Sequence, residues 1–423
     1  MQKLDVESSE VLPESLNLFS SKQVLVAHES SAHVLVLPSS QLGSLPIMYK
    51  YACGNNMIDL RECLLSTSFK IVKKQTVKND DGTTVTKTVN IDKNDKVAFL
   101  NGFGATFIKN LKLSINGRMV YNSNDLYAFT AYFHQLLNLN NQNSNQLQAA
   151  GFYKDSDESQ ISGDGFDSRA DLYKNDGQFD CISKIYADIM DCPRYLLSNQ
   201  TLEIELTPNN NHFLLINNGD QKTDYHVQIL DSKLFVKNIN LIPQLSYQIE
   251  EKLNAGNCVK MPFDRHITKA FYINPGRYTY DSTLHFSFIP KIVFAALVPT
   301  KDFHGTPNSS PFKFSSSHIQ SIRLSVNGRS VPSSEYTCNF TLKKYGRVFY
   351  DLIAAAPHAL VNLKSYANHS TIFAFDMRNT KNPKYSELQR VGPTAISLEF
   401  NQQVEAGGLQ LITLSIFENP LLN

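Results

Sequence analysis

Leu113-Ser-Ile-Asn-Gly-Arg-Met-Val120 and Leu324-Ser-Val-Asn-Gly-Arg-Ser-Val331 share six residues in register and lie 211 residues apart in a chain of 423. In each copy a strand pattern runs into Asn-Gly and out to a short apolar segment, the signature of a tight hairpin. An amphipathic helix pattern follows both. The separation is half the chain, so the repeating unit is a whole domain, far larger than a solenoid repeat. Leu202-Glu-Ile-Glu-Leu206 has a counterpart in Ile396-Ser-Leu-Glu-Phe400, 194 residues on, so the first half carries about seventeen more loop residues between turn and strand. Two copies of one β-sandwich are the simplest account.

Outward from the repeat, Val24–Ala27, His33–Leu37, Phe69–Val72, Lys112–Ile115 and Ile322–Val326 read as short strands. Leu409–Phe417 reads as a longer strand with one apolar face. Asp80-Asp81-Gly82 reads as a hairpin turn between Phe69–Val77 and Thr83–Val89. The class is therefore all-β with a few short helices, built as antiparallel sandwiches. Three helices are expected: Asp125–Leu137 capped by Ser123 or Asn124, Val348–Ala356 stopped by Pro357, and Pro243–Leu253 ended by Asn254 and Gly256. The divisions that follow are an N-terminal arm at 1–20, a first sandwich at 21–241, a linker helix at 242–256 and a second sandwich at 257–423. Asn- and Gln-rich 138–148 and Asp-, Ser- and Gly-rich 155–176 place 138–180 on an exposed rim or tower, removable without unfolding the sandwiches.

Composition narrows the function. Forty basic residues against thirty-nine acidic leave a net charge of +1, whereas a chain that binds nucleic acid by bulk charge carries a large positive excess. Six dispersed cysteines without a CxxC pair give neither a zinc site nor a disulfide framework. The amino terminus lacks the apolar core of a signal peptide, and the longest apolar runs, Ile292–Val298 and Leu352–Ala356, are too short for a bilayer span. A soluble chain kept in a reducing compartment inside a cell is the expectation.

Enzyme motifs are missing: there is no P-loop, HExxH or GxSxG. Gly102-Phe-Gly104 lacks the third glycine and the βαβ context of a dinucleotide fingerprint and reads as a turn. Asp155-Ser-Asp157-Glu158 begins like a calcium loop, but Gln160 stands where that loop requires glycine. Asp155, Asp157, Asp164 and Asp167 read as a weak divalent-cation site or as a solvated acidic loop. Tyr127, Phe129, Tyr132 and Phe133 cluster on the first helix, as core or as a stacking surface. His134 beside them is a structural histidine or a group titrating at an interface, which makes Tyr127, Tyr132 and His134 the candidate interface helix. Asn116, Gly117, Arg118 and Asn327, Gly328, Arg329 are hairpin turns whose arginines could also meet a ligand. No catalytic residue, cofactor or metal is expected, and the chain reads as a non-enzyme.

The segment from Leu113 through Tyr121-Asn-Ser-Asn-Asp-Leu-Tyr127 and Ala131-Tyr-Phe-His-Gln-Leu-Leu137 resembles the strand–turn–helix of the Polinton/Maverick and adintovirus major capsid protein (hexon-like) family. Gly151-Phe-Tyr-Lys-Asp155, Ile185-Tyr-Ala-Asp188, Pro193-Arg-Tyr-Leu-Leu197, Ser325–Pro332 and Ile372-Phe-Ala-Phe-Asp376 match further family segments in order. The resemblance runs from about Leu16 to the C-terminus. It departs at His134-Gln135, where the family commonly has an acidic residue, and in the asparagine-rich loop. It implies a double jelly roll, two tandem eight-stranded antiparallel β-sandwiches, assembled as a pseudo-hexameric homotrimer. The implied partners are further copies in capsomer–capsomer contacts, a single-jelly-roll penton protein, and minor capsid or cement proteins. Double-stranded DNA would be enclosed but not bound sequence-specifically, and the implied location is the virion, assembled inside a host cell.

From the residues alone two other readings stay open. One is an intracellular tandem β-sandwich lectin, against which the absence of Trp counts. The other is a β-sandwich hydrolase whose carboxylates assemble only in space.

Overall fold

Both Asn-Gly turns close the same hairpin in the computed structural model, which describes residues 28–41, 43, 45–78, 84–174, 177–219, 223–379 and 390–418. Asn116 and Gly117 take φ of 51° and 74°, and Asn327 and Gly328 take 49° and 76°. Two successive left-handed residues make a type I′ turn, whose twist matches the flanking strands. Ile115 pairs with Arg118 and Val326 with Arg329 across the two loops. A Cβ at Gly117 would meet open space, so a side chain there opposes only the backbone conformation. Gly117→Val is accordingly expected to cost about 1–2 kcal/mol, read as a lowered urea midpoint, with Gly328→Val costing a similar amount.

The first half is built from β1 (His28–Val36), β2 (Ile47–Ala52), β3 (Met57–Lys78), β4 (Thr84–Asn90), β5 (Val97–Phe99) and β6 (Ile108–Ile115). It continues with β7 (Arg118–Asn122), β8 (Phe179–Lys184), β9 (Thr201–Pro208), β10 (Leu215–Asn217) and β11 (Asp224–Leu241). The second half has β12 (Arg265–Ile273), β13 (Thr279–His285), β14 (Ile292–Pro299), β15 (Ile319–Val326), β16 (Arg329–Thr337), β17 (Ile372–Asp376), β18 (Thr394–Phe400) and β19 (Leu409–Phe417). One sheet of the second half runs β12-β19-β14-β17 and the other β13-β18-β15-β16. The first half repeats this order as β1-β11-β3-β8 and β2-β9-β6-β7, with β4 extending β3 and a two-stranded β5-β10 sheet added. Numbering the eight core strands of each half, the sheets read 1-8-3-6 and 2-7-4-5, all antiparallel. That is the jelly-roll order, present twice. The expected strand at Val24–Ala27 and the turn at Asp80-Asp81-Gly82 lie outside the described residues.

Short helices fill the connections: α1 (Phe103–Thr106), α2 (Tyr127–Leu136), α3 (Ser144–Ala149), α4 (Asp164–Asp171) and α5 (Asn211–Leu214) in the first half. α6 (Pro243–Asn254) follows β11, and α7 (Thr300–Phe303), α8 (Gly346–Ala355) and α9 (Leu363–Asn368) belong to the second half. The expected cap of α2 is absent. Leu126 occupies the N-cap without a side-chain bond, while Asn124 and Asp125 adopt positive φ. Ser123 is used elsewhere: its hydroxyl accepts from the Leu111 amide at 2.9 Å and donates to Asn110 at 2.8 Å, tying the turn to β6. α6 rests on the first half through Leu245 and Ile249, which cover Met57, Ile239 and Leu241.

One buried apolar cluster runs through both sandwiches, so the halves share a core. This overrides the one-sided reading of Leu409–Phe417. Thr268 of β12 reaches Thr130 of α2, and its partners Leu414 and Phe294 point the same way, toward the first half. Ser415, on the opposite face, meets His285 of the other sheet at 2.8 Å. β14 and β19 are thus covered on both faces, which is why Ile292–Val298 is an unbroken apolar run.

Candidate functional site: the seam between the two halves

α2 is an interface element, but the interface lies inside the chain. All ten of its residues are buried. Tyr127 turns back into its own half, where its hydroxyl accepts from the Tyr186 amide at 2.9 Å. Phe129, Tyr132 and Phe133 face the second half and stack on Phe303, Phe312 and Phe314 at centroid distances of 5.0, 4.1 and 5.3 Å. Such pairs contribute about 0.5–1.5 kcal/mol each beyond the area they bury. The candidate interface residues Tyr127, Tyr132 and His134 therefore offer nothing to a second copy, because helical aromatic spacing served the shared core. Main-chain bonds cross the same seam, from Leu360 N to Leu136 O at 2.8 Å and from Asn217 N to Pro307 O at 2.6 Å.

The described residues of 138–180 do not form a tower. Leu147, Phe152, Phe166, Ala170 and Tyr173 are buried, and the segment straps the first half to the second. Asp157 accepts from Asn362 Nδ2 at 2.6 Å, Glu158 pairs with Lys364 at 2.9 Å, and Ser156 O meets His369 Nε2 at 2.8 Å. Gln160 donates to Phe312 O at 3.1 Å and to the Tyr132 hydroxyl at 3.2 Å. Beneath the strap the Arg169 guanidinium, 2 % exposed, pairs with the Asp155 carboxylate, 6 % exposed, at 2.7 Å. It also donates to Phe99 O and Gln160 O, and Asn101 Nδ2 donates to the other Asp155 oxygen. Low overall hydropathy hid this, because the few apolar residues sit among many polar ones. The four acidic residues do not converge on one site: Asp155 and Asp157 are engaged by the chain, and Asp164 and Asp167 stay exposed to solvent. Asp155 is neutralised by Arg169, Asp157 is engaged with α9, and Asp164 and Asp167 lie in the first turn of α4. Among the described residues no three His, Cys, Asp or Glu side chains converge as metal ligands would.

A second set of polar contacts crosses the seam. His134 of α2 meets His266 of β12 at 3.0 Å and Asn140 at 2.8 Å, and Asn140 reaches Asp191 at 2.7 Å. The Asp188 carboxylate accepts from the His266 amide at 3.1 Å. Burial raises Asp188 to about 7 and lowers both histidines from their ordinary range.

Both repeat turns also act as clips. The Asn116 amide donates to Thr201 O at 2.9 Å while its side chain accepts from Thr201 N at 2.8 Å. Asn327 N donates to Pro393 O and Asn327 Nδ2 to Val391 O. Each turn thus fixes the start of the adjacent strand, β9 or β18. Arg118 and Arg329 stay on the surface. Near the second turn, Phe286 is 77 % exposed and Val391 68 %, beside Phe288, which bridges to Val391. All six cysteines are unpaired, and no described helix is long and apolar enough to cross a membrane.

No protein-family model matches the chain. An uncharacterised protein of Caenorhabditis elegans is 24% identical over 401 residues, covering 89% of this chain and 93% of that one. A chain from the structure of the Sputnik virophage superposes with a TM-score of 0.61 at 12% identity, covering 98% of this chain and 91% of its own. The mavirus major capsid protein gives 0.54 at 12% identity over 99% and 94% of the two chains. The Faustovirus major capsid protein gives 0.54 at 9% over 98% and 93%. What the chain shares with these viral proteins, end to end, is the fold: two jelly rolls in tandem.

Proposed function

We propose that the chain is a structural, non-enzymatic capsid subunit of the Polinton/Maverick and adintovirus type. The observation that carries the reading is the fusion of two equivalent jelly rolls over one core. Such a block holds two like sandwiches at a fixed angle, so three copies around a threefold axis present six, and a six-sided tile can pave a shell. Aromatic stacks such as Tyr132 on Phe312 and side-chain bonds such as Asn362 to Asp157 hold that angle. Near-neutral net charge suits copies that pack side by side without strong self-repulsion. On this reading homotrimers tile an icosahedral shell, a single-jelly-roll penton protein closes the vertices, and minor capsid or cement proteins join them. Double-stranded DNA is enclosed rather than read.

Light scattering behind a size-exclusion column tests this. The expected mass is three times 47.6 kDa, about 143 kDa, or a far larger shell with hexagonal tiles visible by electron microscopy. A monomer persisting at high concentration would overturn it.

A further inference from the structure

We propose that the seam carries an acid-sensitive latch, formed by His134 of the first jelly roll and His266 of the second. The direction of each hydrogen bond follows from its neighbours. Asn140 Nδ2 donates to Asp191 Oδ1, so Asn140 Oδ1 accepts from His134 Nδ1–H. Neutral His134 then has a bare Nε2, which accepts from His266 Nδ1–H at 3.0 Å. The thread is therefore closed without a charge in the seam while both rings are neutral. A proton on His134 Nε2 makes that ring the donor and neutral His266, with its own proton moved to Nε2, the acceptor, so what the closed seam resists is the charge; a second proton sets N–H against N–H. A proton on His266 likewise leaves that bond intact but places a cation on a half-buried ring against buried His134.

The groups around the rings decide the sign. From the first half they are Tyr186, whose ring lies 5.2 Å from that of His134, with Asp191 and with Asp188, which accepts from the His266 amide. From the second half they are Arg265 and Lys291, the latter paired with Asp264 and 3.8 Å from Glu418. Loss of water holds His266 well below its usual value, helped by His134 and by the Lys291 ammonium. Loss of water also lowers His134, against the pull of Asp191. Closed-state histidine pKa values below the open-state value mean that the open seam binds more protons, so acid favours opening below about pH 6.5. Asp188 acts oppositely. Burial raises it to about 7, so the closed seam binds its proton more readily and this group resists opening as pH falls from about 7 toward its ordinary carboxylate value. Two histidines against one carboxylate leave a net uptake of one proton on opening.

The test is hydrogen exchange of the Leu360 amide in the full chain, whose bond to Leu136 O crosses the seam. After correction for intrinsic exchange, its opening constant should rise about tenfold per pH unit below about 6.5. Asp188→Asn keeps the acceptor for the His266 amide but removes the opposing carboxylate, so the rise should steepen toward about a hundredfold per unit. His134→Gln with His266→Asn keeps an acceptor facing a donor without a titrating ring. In that variant the ring pair no longer titrates while Asp188 still opposes opening, so opening should become rarer in acid. A pH-independent wild type, an unchanged slope in Asp188→Asn, or a wild-type slope in the double variant would each overturn the latch. Because the readout is within one chain, it stands or falls separately from assembly.

Discussion

Arg169→Ala is expected to destabilise the chain by about 3–5 kcal/mol, because it strands a buried carboxylate whose one full countercharge among the described residues is that guanidinium. The Asp155–Arg169 contact is 2.7 Å long and both side chains are almost wholly covered. The change also leaves Phe99 O and Gln160 O without their arginine donors, and Gln160 is a point at which the strap touches the second half. Loss should therefore appear as a lowered urea midpoint and as faster proteolysis within 153–163. Replacing both members by apolar residues, Arg169→Met with Asp155→Leu, should restore most of the stability, since the cost lies in the unpaired charge. A single substitution that leaves the midpoint in place would mean the strap is not held from beneath.

Phe312→Ala should cost a comparable 3–5 kcal/mol or so, the range for deleting a buried aromatic. Phe312 belongs to the second half, yet its ring neighbours Tyr132, Phe129 and Phe213 all belong to the first. The cavity would open in the seam rather than within either sandwich. Calorimetry should then show the single transition of a shared core separating into two, one for each jelly roll. A merely lower but still single transition would place the coupling elsewhere, in the main-chain bonds or the strap.

Neither lesion was visible in the local sequence pattern. Phe312 lies in Ser309-Ser-Pro-Phe-Lys-Phe314, which has no strand or helix period, and Arg169 lies in a segment that reads as solvated. Local pattern reports what a residue does to its own element, and neither residue acts on its own element. Leu409–Phe417 shows the same limit: alternation suggested one buried face, and the presence of the other half buried both.

What the sequence determined by itself was whatever depends on neighbours within a few residues. Asn-Gly must turn tightly because only such residues accept two left-handed conformations in succession, and finding the turn twice, half a chain apart, disclosed the duplicated sandwich. α2, α6 and α8 were legible from their apolar spacing and from Pro243 and Pro357. The tertiary structure alone decided where those surfaces went. Burial is a property of the whole assembly of elements: it turned Tyr132 and His134 inward, made a strap of 138–180, and set His134 against His266 from 132 residues away.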